Sequence, residues 1–204
     1  MEAEAEMMDM NCKSEIRKML RQRLEAMTDE QRHVGSQAAC RFLVKSPEFQ
    51  AARVVMLYLS MPTEVDTAPI ALRCWQEGKT VVVPKVSWHQ RRMLPVEICS
   101  LHAGMTLTGP GLREPIAGKP IPVNLIDLVV VPGLGFTEQG NRIGRGMGFY
   151  DRFLAQPEFI GLSCGLAFRE QIVDSLPVLE HDMPASMLVT DQGIRRFASN
   201  LIGT

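Results

Sequence analysis

The sequence predicts a single α/β domain, a three-layer sandwich around a mostly parallel sheet. Short apolar runs at residues 54–59, 80–83 and 128–131 are typical of strands buried on both faces. Segments of helical periodicity separate these runs. This alternation favours parallel pairing, because each crossover helix covers one face of the sheet.

Composition narrows the class of protein. The chain has 204 residues, of which 46% are hydrophobic and 22% charged, as expected for one globular domain. The net charge of −1 gives no support for nucleic-acid or membrane binding, so any anion site must be local. None of the five cysteines forms a C-x-x-C pair, which favours reduced thiols over a zinc site.

The N-terminal region predicts an extension followed by a basic helix. Residues 1–12 are interpreted as a disordered acidic extension, which places the domain at residues 13–204. Residues 13–27 have helical spacing of apolar side chains. Lys13 and Arg17, four residues apart, share a face and could hold a phosphate, although a solvated basic face is the alternative. Thr28 and Gln31 form a capping box that opens a second helix, to about Val44.

Later elements follow the same patterns. Thr67 is expected to cap a helix that carries Ile70, Ala71 and Trp75. Strands are predicted at residues 93–99, 160–168 and 187–189, the last being the final strand. Residues 108–122 are rich in Gly and Pro and predict a long loop that lies partly over the site.

Residues 140–151, GNRIGRGMGFYD, predict an anion-binding loop. Four glycines fall in nine positions, after a buried strand and before a helix predicted at residues 150–154. Glycines let the backbone turn with positive φ and approach a ligand closely. Arg142 and Arg145 add two cations suited to phosphate oxygens. The spacing matches neither a Walker A nor a Rossmann motif, and a structural turn is the alternative.

Three carboxylates are site candidates because of their positions near strand ends. Glu64 follows the strand at residues 54–59, where ligands bind in open α/β sheets, although a solvated loop carboxylate is the alternative. Asp151 and Asp182 follow two other strands, and Mg²⁺ usually takes one or two carboxylates together with phosphates. Asp151 could instead cap the helix. His181 has no serine or cysteine plausibly paired with it, so no nucleophile triad is predicted.

The chain resembles the 5-formyltetrahydrofolate cyclo-ligase family. Residues 132–152, PGLGFTEQGNRIGRGMGFYDR, follow the family pattern P-G-L-x-F-D-x-x-G-x-R-L-G-x-G-x-G-Y-Y-D. Shorter matches lie at residues 13–17, 59–67, 111–115, 167–171 and 181–182. The chain departs from the pattern at Thr137, Met147 and Phe149, where relatives often have Asp, a basic residue and Tyr.

The resemblance implies a fold related to sugar-phosphate isomerases and CoA-transferase-like domains. It also implies the use of ATP and Mg²⁺ to convert 5-formyltetrahydrofolate to 5,10-methenyltetrahydrofolate, with release of ADP and phosphate. The implied ATP ligands are Lys13, Arg17, Arg142, Gly144, Arg145, Gly146, Met147, Gly148, Phe149 and Tyr150. The implied folate contacts are Leu59, Glu64, Arg145, Gly146, Met147, Gly148 and Phe149. Asp151 and Asp182 are the implied metal ligands, and Arg145 and Tyr150 the expected catalytic residues.

The expected partner is therefore a small folate, bound by a monomeric cytoplasmic enzyme without nucleic-acid or membrane contacts. Two other classes of function are alternatives, because a fold does not determine an activity. One is a phosphosugar isomerase or CoA transferase, which would not hydrolyse ATP. The other is a non-catalytic domain that binds a nucleotide or a folate.

Overall fold

The computed structural model describes residues 2–108 and 112–197, with side chains described at 12–108 and 113–197. The strands are β1 (Val54–Met56), β2 (Thr80–Ser87), β3 (Arg92–Ile98), β4 (Met105–Thr108), β5 (Leu112–Pro115), β6 (Leu128–Val131), β7 (Gly135–Phe136), β8 (Arg142–Ile143), β9 (Leu162–Leu166), β10 (Met187–Thr190) and β11 (Gly193–Arg196). The helices are α1 (Glu2–Ala26), α2 (Asp29–Val44), α3 (Pro47–Ala51), α4 (Ala68–Gln76) and α5 (Phe149–Leu154). The last residues of the predicted domain, 198–204, lie outside this description.

Seven strands form the central sheet, in the order β11-β10-β9-β6-β1-β2-β3. The five inner strands are parallel, whereas β3 and β11 pair antiparallel at the two edges. The prediction of a mostly parallel sheet is therefore confirmed. Val55 pairs with Val81 on one side and with Leu128 on the other, so the three predicted apolar runs lie next to one another.

Alternate strand residues pack into two separate cores. Val55, Val81 and Leu128 face the core that contains α1, α2 and α4. Met56 and Val82 face the opposite core, which contains α5. Because each strand buries both faces, its sequence is a continuous apolar run, and helices on both sides complete three layers.

Of the two N-terminal helix caps predicted from the sequence, one is confirmed and one is wrong. The capping box is confirmed: the Thr28 Oγ1 accepts from Gln31 N–H, and the Gln31 side chain accepts from Thr28 N–H. The predicted cap at Thr67 is wrong, because its hydroxyl donates to the Tyr58 carbonyl oxygen at 2.7 Å. Asp66 takes that role instead, since its Oδ1 accepts from Ala68 N–H.

Several elements differ from the predicted boundaries. The backbone of α1 is already helical at Glu2, in the segment expected to be disordered, where Glu, Ala and Met are strong helix formers. The region predicted as a loop over residues 108–122 contributes β5, which pairs with β4. Residues 109–111 lie outside the described chain. A further strand, β11, follows the segment predicted to be the last, and α3 was not predicted.

The edge strand β3 is partly covered by the chain that follows the β4–β5 hairpin. Glu97 N–H donates to the Lys119 carbonyl oxygen, and Ile121 N–H donates to that of Pro95. Val96 and Pro120 form an isolated bridge at the same place. A segment of irregular chain thus occupies the outer side of this edge.

Two findings concern the environment of the protein. In the part of the chain described here, no helix combines the length and apolar character needed to cross a bilayer. All five cysteines are free thiols; Cys40, Cys74 and Cys164 are buried, while Cys12 and Cys99 are exposed.

Candidate active site

A cavity of about 540 Å³ opens at the carboxyl ends of the inner strands. Tyr58 and Leu59 reach it from the end of β1, and Pro132 and Gly133 from the end of β6. The strand order reverses between β1 and β6, and such a switch point is where open α/β sheets bind ligands. Every residue predicted for the site lines this cavity: Lys13, Arg17, Leu59, Glu64, Arg142, Gly144, Arg145, Gly146, Met147, Gly148, Phe149, Tyr150, Asp151 and Asp182.

The glycine-rich loop leaves the β7–β8 hairpin and ends where α5 begins. Gly146 has φ of +105°, and a Cβ there would lie 3.6 Å from the Arg17 guanidinium carbon. Gly148, with φ of +62°, is the N-cap of α5. Since α5 is only six residues long, basic side chains rather than a helix terminus supply the positive charge here.

Asp151 does not cap α5. It lies in the first turn, and its Oδ1 accepts from Arg142 Nη2 at 2.6 Å and from Met183 N–H at 3.1 Å. The Arg142 side chain is 4% exposed, so this is a buried ion pair. Burial lowers the pKa of Arg142, and the Asp151 carboxylate opposes that effect.

Lys13 brings α1 to the same cavity. Its Nζ donates to Asp182 Oδ2 at 2.5 Å, and the same oxygen accepts from Leu179 N–H. Burial raises the pKa of Asp182, but the Leu179 N–H and the Lys13 ammonium outweigh burial and hold that pKa below its usual range. The predicted first helix therefore packs across the site.

Arg17 joins α1 to the glycine loop. Its Nε donates to the Gly144 carbonyl oxygen at 3.0 Å, and among the described residues it has no carboxylate partner. Burial, followed by the nearby Arg21, lowers the pKa of Arg17. A guanidinium held by a carbonyl oxygen, with free N–H groups at a cavity, is well placed to meet an anion.

Glu64 and Arg145 form the third ion pair at the cavity. Arg145 Nη2 lies 3.1 Å and its Nε 3.3 Å from Glu64 Oε1. The other oxygen, Oε2, accepts from Met61 N–H at 3.0 Å. Glu64 is thus a buried loop carboxylate rather than a solvated one, with 11% of its side chain exposed.

Two buried donors at the cavity lack partners within the described structure, the hydroxyl of Tyr150 and Nε of Arg142. Burial, and then the nearby Glu64 carboxylate, raise the pKa of Tyr150 well above its usual range, so it remains a protonated donor. An unsatisfied buried donor costs about 1–3 kcal/mol, which a ligand oxygen or a water would recover. Both groups therefore fit a site built for an oxygen-rich ligand.

The other end of the cavity is apolar and was not predicted. Trp88 meets Phe149 edge to face, with ring centroids 5.3 Å apart, and Val86 and Met93 line the same wall. Val86 and Met93 belong to β2 and β3, and Trp88 follows directly after β2, which extends past the strand predicted at residues 80–83. The sequence therefore carried no local signal for this wall. An apolar wall with an exposed tryptophan edge suits a flat aromatic ligand.

Charge at the cavity favours an anion. Arg113, on β5, was also missed, and its side chain makes no hydrogen bond or ion pair with the other described residues. It raises the basic lining residues to five, Lys13, Arg17, Arg113, Arg142 and Arg145. Among the described residues, three acidic ones line the cavity, Glu64, Asp151 and Asp182. The excess of two positive charges is local, since the whole chain is nearly neutral.

The two aspartates meet the chemical requirements of Mg²⁺ without forming a metal site of their own. Within the described residues no group of three or more His, Cys, Asp or Glu could hold a metal. Asp151 and Asp182 line one cavity, and Asp151 Oδ2 and Asp182 Oδ1 accept no hydrogen bond there. Mg²⁺ commonly binds one or two carboxylates plus substrate phosphates, so these residues fit the ion once an oxygen-rich ligand is bound.

Comparisons with known proteins identify the family of the chain. A profile of the 5-formyltetrahydrofolate cyclo-ligase family matches residues 9–191. A 5-formyltetrahydrofolate cyclo-ligase of Mus musculus is 32% identical over 183 residues, covering 85% of this chain and 90% of that protein. One of Escherichia coli K12 is also 32% identical, over 176 residues, covering 84% and 96%.

A solved structure shows the same fold. The NMR structure of Aquifex aeolicus 5,10-methenyltetrahydrofolate synthetase aligns with a TM-score of 0.78 and 32% identity, covering 92% of this chain and 94% of that one. The profile match includes Lys13, the glycine-rich loop and Asp182, which contribute three parts of the cavity wall. The chain belongs to the 5-formyltetrahydrofolate cyclo-ligase family.

Proposed function

We propose that this chain is a 5-formyltetrahydrofolate cyclo-ligase that converts 5-formyltetrahydrofolate to 5,10-methenyltetrahydrofolate with ATP and Mg²⁺. One observation carries the proposal. A single cavity combines a cluster of cations, an apolar wall and a buried carboxylate, Glu64. This combination suits a polyphosphate next to a flat heterocycle that carries N–H donors.

This proposal assigns each part of the cavity to one portion of the two substrates. Lys13, Arg17 and Arg142 hold the phosphates of ATP, because all three line the cavity and cations suit phosphate oxygens. Trp88 and Phe149 pack against the folate. Glu64 accepts hydrogen bonds from the guanidine-like edge of the pterin, since a carboxylate is a suitable acceptor for paired N–H donors.

The chemistry requires positioning more than a protein nucleophile. The formyl oxygen attacks the γ-phosphorus of ATP, ADP leaves, and the oxygen becomes part of a good leaving group. The N10 amine then attacks the formyl carbon, losing its proton as phosphate departs and the ring closes. Arg145 and Arg142 stabilise charge that develops on the transferred phosphoryl group. Bound Mg²⁺ would neutralise phosphate charge, with Asp151 and Asp182 as its protein ligands.

The departures from the family pattern are compatible with this function. The Thr137 hydroxyl accepts from Gln139 N–H at 3.3 Å, a turn contact that an aspartate could also make. Phe149 keeps the ring that meets Trp88. Met147 is 43% exposed and makes no contact on which the assignment depends. We expect these positions to affect substrate affinity more than reaction type.

The test is direct. Purified protein with 5-formyltetrahydrofolate and MgATP should develop the absorbance of the methenyl product, with ADP and phosphate formed in equal amounts. Reactions without ATP should remain unchanged. A product that appears without ATP consumption would favour an isomerase or transferase. Binding of both ligands without any product would favour a non-catalytic domain.

We further propose a monomeric enzyme that acts in the cytoplasm. The exposed thiols of Cys12 and Cys99 suit a reducing compartment. Size-exclusion chromatography coupled to light scattering should give the mass of a single 22.7 kDa chain. A mass of twice that value at micromolar concentration would contradict the monomer.

A further inference from the structure

The ion pair between Glu64 and Arg145 joins two residues that the proposed function assigns to different ligands. Glu64 is assigned to the pterin and Arg145 to the phosphoryl group. In the structure, Arg145 Nη2 instead lies 3.1 Å from Glu64 Oε1. Neither residue can serve its ligand fully while this contact persists, because Oε1 is occupied and the guanidinium is directed at a carboxylate.

The two partners differ in how firmly they are held. Glu64 is 11% exposed, and its Oε2 accepts from Met61 N–H, so the carboxylate is fixed by its own loop. The Arg145 side chain is 39% exposed, whereas those of Arg142 and Lys13 are 4% and 8% exposed in their ion pairs. The ion pair of Arg145 is therefore the most exposed of the three, and Arg145 is the cation most easily released.

The backbone next to Arg145 also permits movement. Gly144 and Gly146 flank it, and a Cβ at Gly144 would meet only the Arg142 side chain, at 3.5 Å. No backbone atom of another segment lies within 4 Å of that Cβ position, so close packing against the main chain does not hold the loop here. Because 39% of its side chain is exposed, packing does not lock the Arg145 guanidinium in place.

We propose that Glu64 is a positioning residue that restrains Arg145 until the folate binds. The guanidine-like edge of the pterin carries paired N–H donors and takes the place of the Arg145 guanidinium on Glu64. The released Arg145 then meets the phosphates of ATP. This inference rests on the proposed function and adds to it that each substrate promotes binding of the other.

The proposal predicts a reciprocal change in the affinities of the two substrates. If folate releases the arginine that binds the nucleotide, folate must tighten nucleotide binding, and the nucleotide must tighten folate binding by the same factor. Coupling between sites is commonly about 5- to 150-fold. A carboxylate that serves only as a pterin ligand would produce no such coupling.

The experiment is calorimetric titration of a non-hydrolysable ATP analogue with Mg²⁺, with and without saturating 5-formyltetrahydrofolate. Wild type should bind the analogue at least about fivefold more tightly when folate is present. Glu64→Gln should bind the analogue more tightly than wild type in the absence of folate, because Arg145 is already free. Added folate should then change its affinity by less than about twofold.

Two further variants separate this role from general effects. Arg145→Ala should also lose the folate effect, but without the gain in basal affinity. Glu48→Gln breaks an ion pair with Arg196 that lies outside the cavity, and it should behave as wild type. The thermal midpoint of Glu64→Gln checks folding, since glutamine retains an oxygen that can accept from Met61 N–H.

The results decide between the inference and the proposed function. If Glu64→Gln binds the analogue no more tightly than wild type, or keeps the wild-type coupling, the inference is wrong. If wild type forms product but binds the two ligands independently, the inference again fails while the proposed function stands. If wild type forms no product from 5-formyltetrahydrofolate and MgATP, the proposed function fails.

Discussion

The Lys13 ammonium lies 2.5 Å from Asp182 Oδ2, although 169 residues separate the two in the sequence. This contact brings α1 to the loop that precedes β10, and it places a cation and a carboxylate on the same cavity wall. Two more ion pairs, Arg142 with Asp151 and Arg145 with Glu64, repeat the arrangement. Each acidic residue of the cavity is thus paired with one basic residue.

Removing Lys13 should weaken nucleotide binding selectively. In Lys13→Ala the phosphates lose a cation and face the unpaired Asp182 carboxylate. A charge-assisted hydrogen bond contributes about 1.5–3 kcal/mol, so binding of MgATP should fall roughly 10- to 100-fold while folate binding is unchanged. Calorimetric titration of each ligand checks this result.

Two controls accompany that measurement. Lys18→Ala removes an exposed lysine of the same helix and should have no effect. A chain lacking residues 1–9 should also bind normally, because no role is assigned to the acidic extension. A large loss from the truncation alone would contradict the proposed division at residue 13.

The Asp182 carboxylate should make stability depend on acid. Its pKa is lowered in the folded protein, so its contribution to stability is present above the unfolded pKa of about 3.9 and is lost as the pH falls through the folded value. Urea unfolding between about pH 2 and pH 5 should therefore show a shallower acid loss for Asp182→Asn than for wild type. Parallel curves would mean that Asp182 has the same pKa in both states.

Removing Arg145 should act on turnover rather than on folding. Loss of one donor to developing charge typically costs about 10²–10³ in rate, so Arg145→Ala should lose that much kcat. Its ion pair with Glu64 is the most exposed of the three at the cavity, so the thermal midpoint should change little. Arg41→Ala, an exposed arginine on α2, is the matched control. Turnover within about threefold of wild type would exclude Arg145 from the chemistry.

Asp151→Asn should change both metal dependence and stability. Asparagine lacks the charge that holds Mg²⁺, so half-maximal rate should require much more Mg²⁺. The structure adds a second effect, because Arg142 is left buried without an ionic partner. We expect a lower thermal midpoint, with a cost of about 1–3 kcal/mol.

The control for this variant is Asp174→Asn, an exposed aspartate outside the cavity. It should leave the thermal midpoint and the Mg²⁺ dependence unchanged. If Asp151→Asn lowered stability but kept its Mg²⁺ dependence, Asp151 would be only the partner of Arg142. Asp182→Asn should shift the Mg²⁺ dependence in the same direction, to a lesser degree.

The sequence predicted the parts of the site that depend on local pattern. The glycine loop is contiguous, and Glu64 stands directly after a strand, so both could be placed from spacing and strand ends. Trp88 and Arg113 could not, because β2 extends past residue 83 only through its pairing with β3, and β5 through its pairing with β4. Such pairings join distant segments and leave no local periodicity.

The missed elements have the same physical reason. The strand β11 has intermediate and exposed residues, so it lacks the apolar run that identified the inner strands. Thr67 has the side chain of a cap, but a tertiary contact with Tyr58 takes its hydroxyl. The family resemblance placed Lys13 and Asp182 at one site, but their charges alone gave no sign that the two side chains would form an ion pair.

The chain segment that covers β3 has a consequence for association between molecules. Open sheet edges present rows of free backbone N–H and C=O groups, and these can pair with an edge of another copy. Here Lys119 and Ile121 already bond to the backbone of β3, while the opposite edge is the short strand β11 with Arg195 and Arg196 exposed. The occupied backbone of β3 and the shortness of β11 therefore oppose the growth of one sheet across two molecules.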